Sequence, residues 1–148
     1  KKYQKEMEEK YKIPVMVCDS VEEAVKGAEI ICTVTPSKEP YLKAEWITPG
    51  AHINAVGAFT PNTREIESSL MAKAKLYADQ VEAMKKESGE YLIPKNEGLF
   101  GEEHITGSIG GILAGQVPGR ENDTEITLFD ALGLAVEDVA CGRFLCRE

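Results

Sequence analysis

These 148 residues contain no Cys-x-x-Cys pair and only two histidines. Cys18, Cys32, Cys141 and Cys146 have no histidine close by in sequence. That spacing excludes an ordinary zinc centre, and no metal site is expected. Cys18 and Cys32 lie in apolar runs, where a thiol packs as a small hydrophobe rather than joining a disulfide framework. Basic residues are also short. Lys and Arg number 17 against 25 Asp and Glu, a net charge of -8. Nucleic-acid binding needs a concentrated basic footprint, so that class is set aside. The lysines at positions 1, 2, 5 and 10 alternate with Glu6, Glu8 and Glu9, the pattern of a solvated helix face. No apolar run is long enough to cross a bilayer, and no signal peptide is expected. Reduced thiols without a leader fit a cytoplasmic location. Internal repeats and low-complexity segments are absent as well.

What is present is an alternation of two periodicities. Residues 1–11 are helix-favouring, with Tyr3, Met7 and Tyr11 at helical spacing. After Pro14, residues 15–18 form a short apolar strand. Ser20-Val21-Glu22-Glu23 is a capping box opening a helix that Gly27 ends. Residues 30–35 are apolar almost without interruption, as in a parallel strand buried on both faces. A loop over 36–40 and a helical turn over 42–46 lead to a strand over 51–57, fed by Pro49-Gly50 and stopped by Gly57. A helix is then predicted from Asn62, with Ile66, Leu70, Met71 and Ala74 on its inner side. Residues 75–79 read as a strand, 80–88 as a helix and 92–101 as a loop. Ile105, Ile109, Ile112 and Leu113 suggest a further helix, weakened by three glycines. Residues 118–124 are turn-rich, 126–129 briefly extended and 130–147 helical.

Strand and helix therefore alternate from residue 15 to about 90, the pattern of an α/β fold with a doubly wound parallel sheet. Strands 30–35, 52–57 and 75–79 are expected to be neighbours in that order, with helices on both faces. Ligands bind such sheets outside the carboxyl ends of the strands. Gly57 stands at one such end, where the lack of a Cβ permits close approach.

One signature of that fold is missing. No Gly-x-Gly-x-x-Gly turn follows an opening strand; Gly107-Ser108-Ile109-Gly110-Gly111 and Gly98-Leu99-Phe100-Gly101 come late and lack the strand. The chain also starts without a capping residue, as though already inside a helix. Both features predict the C-terminal portion of a longer protein, an incomplete Rossmann-type sheet without its first two strands. Residues 1–116 are then the later part of the nucleotide-binding domain, and 117–148 a connecting loop and a helix at the domain interface. The open edge of strand 30–35 is expected to be covered by residues 15–18, by another copy or by upstream chain.

Several polar residues carry bland readings. His52, mid-strand, is read as a hydrogen-bonded structural residue, and His104 as a surface or cap residue. Asp79 ends a strand, where aspartates commonly cap the next helix. Glu137 and Asp138 are adjacent on a helix and diverge by about 100°, so they form no acid–base dyad. Trp46 is read as a packing anchor.

The segments 27–35 (Gly-Ala-Glu-Ile-Ile-Cys-Thr-Val-Thr) and 45–57 (Glu-Trp-Ile-Thr-Pro-Gly-Ala-His-Ile-Asn-Ala-Val-Gly) resemble the ornithine cyclodeaminase/mu-crystallin family. Pro61, Arg64-Glu65-Ile66, Glu82-Ala83, Lys86-Glu87-Ser88-Gly89, Thr127-Leu128-Phe129 and residues 132–138 follow in register. The resemblance implies a domain binding NAD or NADP, and a homodimer formed through an upstream domain. It implies chemistry on a small amino or imino acid: imine or ketimine reduction, or amino-acid deamination. Thr35, Val56, Gly57, Ala58, Phe59, Thr63 and Ala131 match cofactor-contacting positions, and Leu132 a substrate contact. Cyclodeaminases and the related alanine dehydrogenases carry a proton-moving aspartate at the position of Phe59. A phenyl ring cannot accept a proton, so the ornithine reaction is disfavoured and no catalytic residue is assigned. The alternative implied is a non-catalytic NADP- and small-ligand-binding protein of mu-crystallin type.

Overall fold

A computed structural model describes residues 2–146. Its helices are α1 (Lys2–Tyr11), α2 (Val21–Val25), α3 (Ser68–Lys73), α4 (Val81–Glu87), α5 (Gly89–Asn96), α6 (Ile109–Leu113) and α7 (Ala135–Leu145). Its strands are β1 (Ile30–Thr33), β2 (His52–Ala55), β3 (Lys75–Ala78), β4 (Ile105–Ser108) and β5 (Thr127–Asp130). They form one parallel sheet in the order β1-β2-β5-β3-β4. The α/β parallel fold expected from the alternating pattern is present.

The order differs from the sequence reading in one respect. β2 and β3 are not neighbours, because β5 lies between them. The brief extended run near 126–129 is thus the central strand, paired His52 to Thr127 on one side and Lys75 to Thr127 on the other. The sheet consequently extends beyond residue 116, and residues 117–148 supply its middle as well as a helix. The final helix begins at Ala135, not at residue 130, since residues 127–130 are spent in the sheet. Arg147 lies outside the described residues.

Packing follows the alternation of each strand. Ile31, Ile53, Ala55, Leu76, Ala78 and Leu128 point into one apolar core with Leu70 and Met71 of α3, Met84 of α4 and Tyr91 of α5. Burying residues of this size supplies the main driving force, about 1.5–3 kcal/mol for each large side chain. Among the described residues the opposite face carries the short α6 and the loop near Pro118, whose carbonyl accepts from the Tyr77 hydroxyl at 2.9 Å. Ile30, on that face, is 70% exposed, and Cys32 is exposed too. β1 is therefore one-sided rather than buried on both faces, helices do not cover both faces of the sheet, and Cys32 does not pack as a core residue.

Residues 15–18 form no strand. The Val15 amide donates to Glu8 Oε1 at 3.2 Å, which folds the segment back on α1, and Met16 is 80% exposed. Among the described residues the outer edge of β1 has no partner, so residues 15–18 do not cover it.

Three helical expectations also change. Residues 62–67 are not helical: Tyr41 and Leu42 amides donate to the Glu65 carbonyl, and the Glu67 amide to the Leu42 carbonyl. Residues 89–96 are a helix despite Pro94, because Ser88 caps it and Tyr91 anchors it in the core. Residues 105–108 are a strand that runs directly into α6. The capping box at Ser20 forms as read, with Glu23 N donating to Ser20 Oγ at 3.1 Å; the Glu23 carboxylate takes the Asp19 amide.

Candidate active site at the carboxyl ends of the strands

Three strands adjacent in the sheet, β1, β2 and β5, deliver their following residues to one edge. Thr35 follows β1, residues 56–59 follow β2, and Ala131 and Leu132 follow β5. The positions read as cofactor and substrate contacts therefore converge, although they are up to about a hundred residues apart in sequence. Val56 is 46% and Phe59 61% exposed, so apolar surface faces outward there. Gly57, Thr63, Ala131 and Leu132 are half-buried and Thr35 is exposed. Ala58 is the exception, with almost no surface of its own. Thr63 closes the loop after β2: its amide donates to the Thr60 carbonyl and its hydroxyl accepts from the Thr60 amide at 3.2 Å.

The Val56 and Gly57 amides both donate to the Thr33 carbonyl, at 3.0 and 3.1 Å. A Cβ on Gly57 would lie 2.3 Å from Thr35 backbone atoms and 2.7 Å from Glu65 Oε2. The glycine is thus required by the protein's own packing, as well as standing at the predicted ligand edge.

Glu65 was not among the expected site residues. It is fully buried and opposes no cation among the described ion pairs. Its Oε1 accepts from Thr35 N at 2.6 Å, Thr35 Oγ1 at 2.8 Å and the Tyr41 hydroxyl at 2.7 Å. Its Oε2 accepts from Gly57 N at 3.1 Å. Burial pushes this carboxyl up, but hydrogen bonds to the charged form outweigh it and hold Glu65 below the ordinary carboxylate range. Burial pushes the Tyr41 hydroxyl up to about 12, with the Glu65 carboxylate adding to it, so Tyr41 remains a donor.

Two more buried carboxyl groups stand behind the first. Glu90, at the start of α5, accepts from the amides of Glu65 at 2.5 Å and Ile66 at 3.2 Å. Burial raises it to about 8. Asp130, the last residue of β5, accepts from Ser88 Oγ at 2.5 Å, and its Oδ1 has no partner. Burial raises Asp130 to about 7, with the nearby Asp79 charge contributing. Gly89 lies between these anchors, where a Cβ would meet the Thr63 carbonyl oxygen at 2.1 Å. Residues 88–90 consequently brace both the loop after β2 and the end of β5.

The remaining polar residues sort clearly. Asp79 accepts from Gln80 N at 2.6 Å and Gly133 N at 2.7 Å, so it holds the turn carrying Ala131 and Leu132; the residue that caps α4 is Gln80, not Asp79 as expected. His52 is hydrogen-bonded to Thr127 at 2.8 Å and Asn54 at 3.2 Å, a structural setting on the far face of the sheet. His104 lies in the 3-10 turn Glu102–His104, stacks on Phe100 and bonds the Met71 carbonyl, and so is not a helix cap. Trp46 packs against the core. All four cysteines are free, and no metal-binding cluster occurs among the described residues. No described helix is long and apolar enough to cross a membrane.

Known proteins are similar to this chain in sequence and fold. Mouse ketimine reductase mu-crystallin is 45% identical over 131 residues, 88% of this chain and 39% of that one. The Thermococcus litoralis Δ1-pyrroline-2-carboxylate reductase, solved with NADH and L-proline, superposes with a TM-score of 0.91 at 39% identity, over 96% of this chain and 44% of that one. An archaeal alanine dehydrogenase dimer with bound NAD gives 0.87 at 39% identity, over 96% and 43%. The chain thus spans about two-fifths of the length of these relatives. A model of the ornithine cyclodeaminase/mu-crystallin family matches residues 1–147. The chain belongs to the ornithine cyclodeaminase/mu-crystallin family.

Proposed function

We propose that this chain forms the nicotinamide-facing part of an NAD(P)-dependent oxidoreductase that reduces an imine or ketimine of a small amino acid. The observation that carries the reading is the convergence of Thr35, Val56–Gly57 and Ala131–Leu132 on one edge of three adjacent parallel strands. The Thermococcus reductase, which holds NADH and L-proline, shares this fold at 39% identity.

The residues present fit the nicotinamide end of such a cofactor. Val56 offers apolar surface for a flat ring, beside backbone that Glu65 fixes. The sequence holds no glycine-rich turn for the diphosphate, so residues 1–148 alone are expected to bind the cofactor weakly and to be inactive. The bound cofactor supplies hydride. This chain's residues orient the ring, exclude water through Val56, and place Leu132 on the substrate side. A backbone already held in position loses little freedom when the ring docks.

Phe59 supports reduction over ornithine cyclodeamination. It is 61% exposed at the end of β2, where a carboxylate would be needed to move a proton. The alanine dehydrogenase dimer supports a homodimeric assembly for the whole gene product. The test is hydride transfer from NADH or NADPH by that product to a panel of cyclic imines, and of 2-oxo acids with amines. Consumption of cofactor with a cyclic imine supports the reading; none with any member, from a folded preparation, refutes it.

A further inference from the structure

We propose that Glu65 is a positioning residue for the nicotinamide end of the site, a role that rests on the functional reading above. Its carboxylate joins the tail of β1 to the tail of β2. One oxygen takes the Thr35 amide and hydroxyl, and the other takes the Gly57 amide, at 2.6, 2.8 and 3.1 Å. The two tails then carry the backbone that faces the cofactor.

Glu65 is itself immobilised from behind. Its amide donates to Glu90 Oε1 at 2.5 Å, and its carbonyl accepts from the amides of Tyr41 and Leu42 at 2.8 and 2.9 Å. The side chain has no surface and no cation beside it among the described ion pairs, so neutral donors alone hold its charge. Such an anion, bonded to several fixed donors, resists displacement, because each donor left unpaired in a buried site carries a desolvation cost. The clasp is also close-fitting. Oε2 lies 2.7 Å from where a Cβ on residue 57 would be, so the carboxylate supports the protein side of Gly57 while the rest of that residue stays half-exposed.

Other acceptors do not replace it. The Gly57 amide shares the Thr33 carbonyl with Val56, which ties it to β1 but leaves Thr35 free. The Thr35 amide has Glu65 as its acceptor. Loss of the carboxylate therefore releases the β1 tail and relaxes the spacing between the two tails, without touching the strand ladder that holds the sheet together.

The test uses the whole gene product with Glu65→Gln. The substitution preserves shape and volume, but its amide group must face one of the two backbone N–H groups. Binding of the preferred dinucleotide, NADH or NADPH, is measured by nicotinamide fluorescence, and binding of the matching ADP-ribose by calorimetry. ADP-ribose lacks the nicotinamide and senses only the rest of the cofactor site. The expected result is about a tenfold weaker Kd for the dinucleotide, the scale of one lost charge-assisted hydrogen bond, with ADP-ribose affinity unchanged. At saturating cofactor, kcat for imine reduction falls while KM for the imine stays within about twofold.

A folded E65Q protein with wild-type dinucleotide affinity overturns the inference, as does equal weakening of dinucleotide and ADP-ribose. A wild-type protein that binds neither dinucleotide overturns the functional reading and this inference with it. Should E65Q not fold, Tyr41→Phe carries the test, since it removes one donor and leaves both backbone contacts. About threefold weaker dinucleotide binding with unchanged ADP-ribose binding is then expected, and no change in either overturns the inference.

Discussion

Gly57 and Thr35 meet backbone to backbone: a Cβ on residue 57 would lie 2.3 Å from both the amide nitrogen and the carbonyl oxygen of Thr35. Neither atom belongs to a flexible side chain that could turn away. Gly57→Ala must therefore push the tails of β1 and β2 apart, at an overpacking cost of about 1–3 kcal/mol. Urea unfolding of the whole gene product should show that loss, and cofactor affinity should fall with it. An alanine variant of wild-type stability would mean that the two tails stand farther apart in solution.

Asp130 sets a pH dependence. Burial, followed by the Asp79 charge, raises its folded value from an ordinary 3.8 to about 7, so the folded state holds a proton that the unfolded chain has released. Stability from this group is complete below about pH 4 and is lost as pH rises through about 7, on the order of a few kcal/mol. Glu90, raised to about 8, acts in the same sense. Glu65 acts oppositely, since its lowered value contributes stability that is lost only as pH falls below the ordinary carboxylate range. Thermal midpoints of the wild type should decline between about pH 4 and about pH 8, and Asp130→Asn should flatten that decline. A variant with the same slope as the wild type would show that Asp130 is ionised throughout.

The exposed ring of Phe59 lies on the rim of the cofactor edge, and the backbone of its loop is held by Glu65 and the Thr60–Thr63 bonds instead. Phe59→Asp should leave cofactor Kd within about threefold, less than 1 kcal/mol, and introduce weak deaminase activity. A large loss of affinity in a folded variant would show that the ring itself packs on the nicotinamide.

Much of this fold can be read from the chain alone, because strands such as 30–33, 52–55 and 75–78 announce themselves as apolar runs next to turn residues. What cannot be read is which strands meet. β5 enters between β2 and β3 from a polar, turn-rich stretch, and no local pattern encodes that long-range pairing. Residues 15–18 show the converse: a suitable composition gives no strand without a neighbour to pair with. Gly57 stands out in the sequence because it ends an apolar strand abruptly; Thr35 and Val56 are named only through the family resemblance. Glu65, Glu90 and Asp130 do not stand out, since a buried carboxylate looks like any other in sequence. The clasp itself depends on donors from positions 35, 41 and 57, which only the folded chain assembles. The Ile66-Leu70-Met71-Ala74 stripe suggested a helix from Asn62, but the backbone at 65–67 is engaged by residues 41–42 and Glu90 before a helix can begin.

Residues 1–148 prepared alone should bind NADH and NADPH weakly. A helix N-terminus with a glycine-rich turn supplies the amide groups that receive a diphosphate, and this sequence has no such turn after a strand. Calorimetry on the isolated chain should give a Kd well above the micromolar range. Micromolar affinity would mean that the strand-end loops hold the cofactor without a separate phosphate site.

The central claim is that the nicotinamide ring lies against the tails of β1 and β2. Isotope-edited NOE measurements on the whole gene product with NAD+ test it most directly, with label in the Val56 methyl groups and the Thr35 methyl. The account predicts contacts from the nicotinamide ring protons to both residues, and their weakening in E65Q. Contacts confined to the opposite face of the sheet, at Ile30, His52 or Phe129, would contradict it.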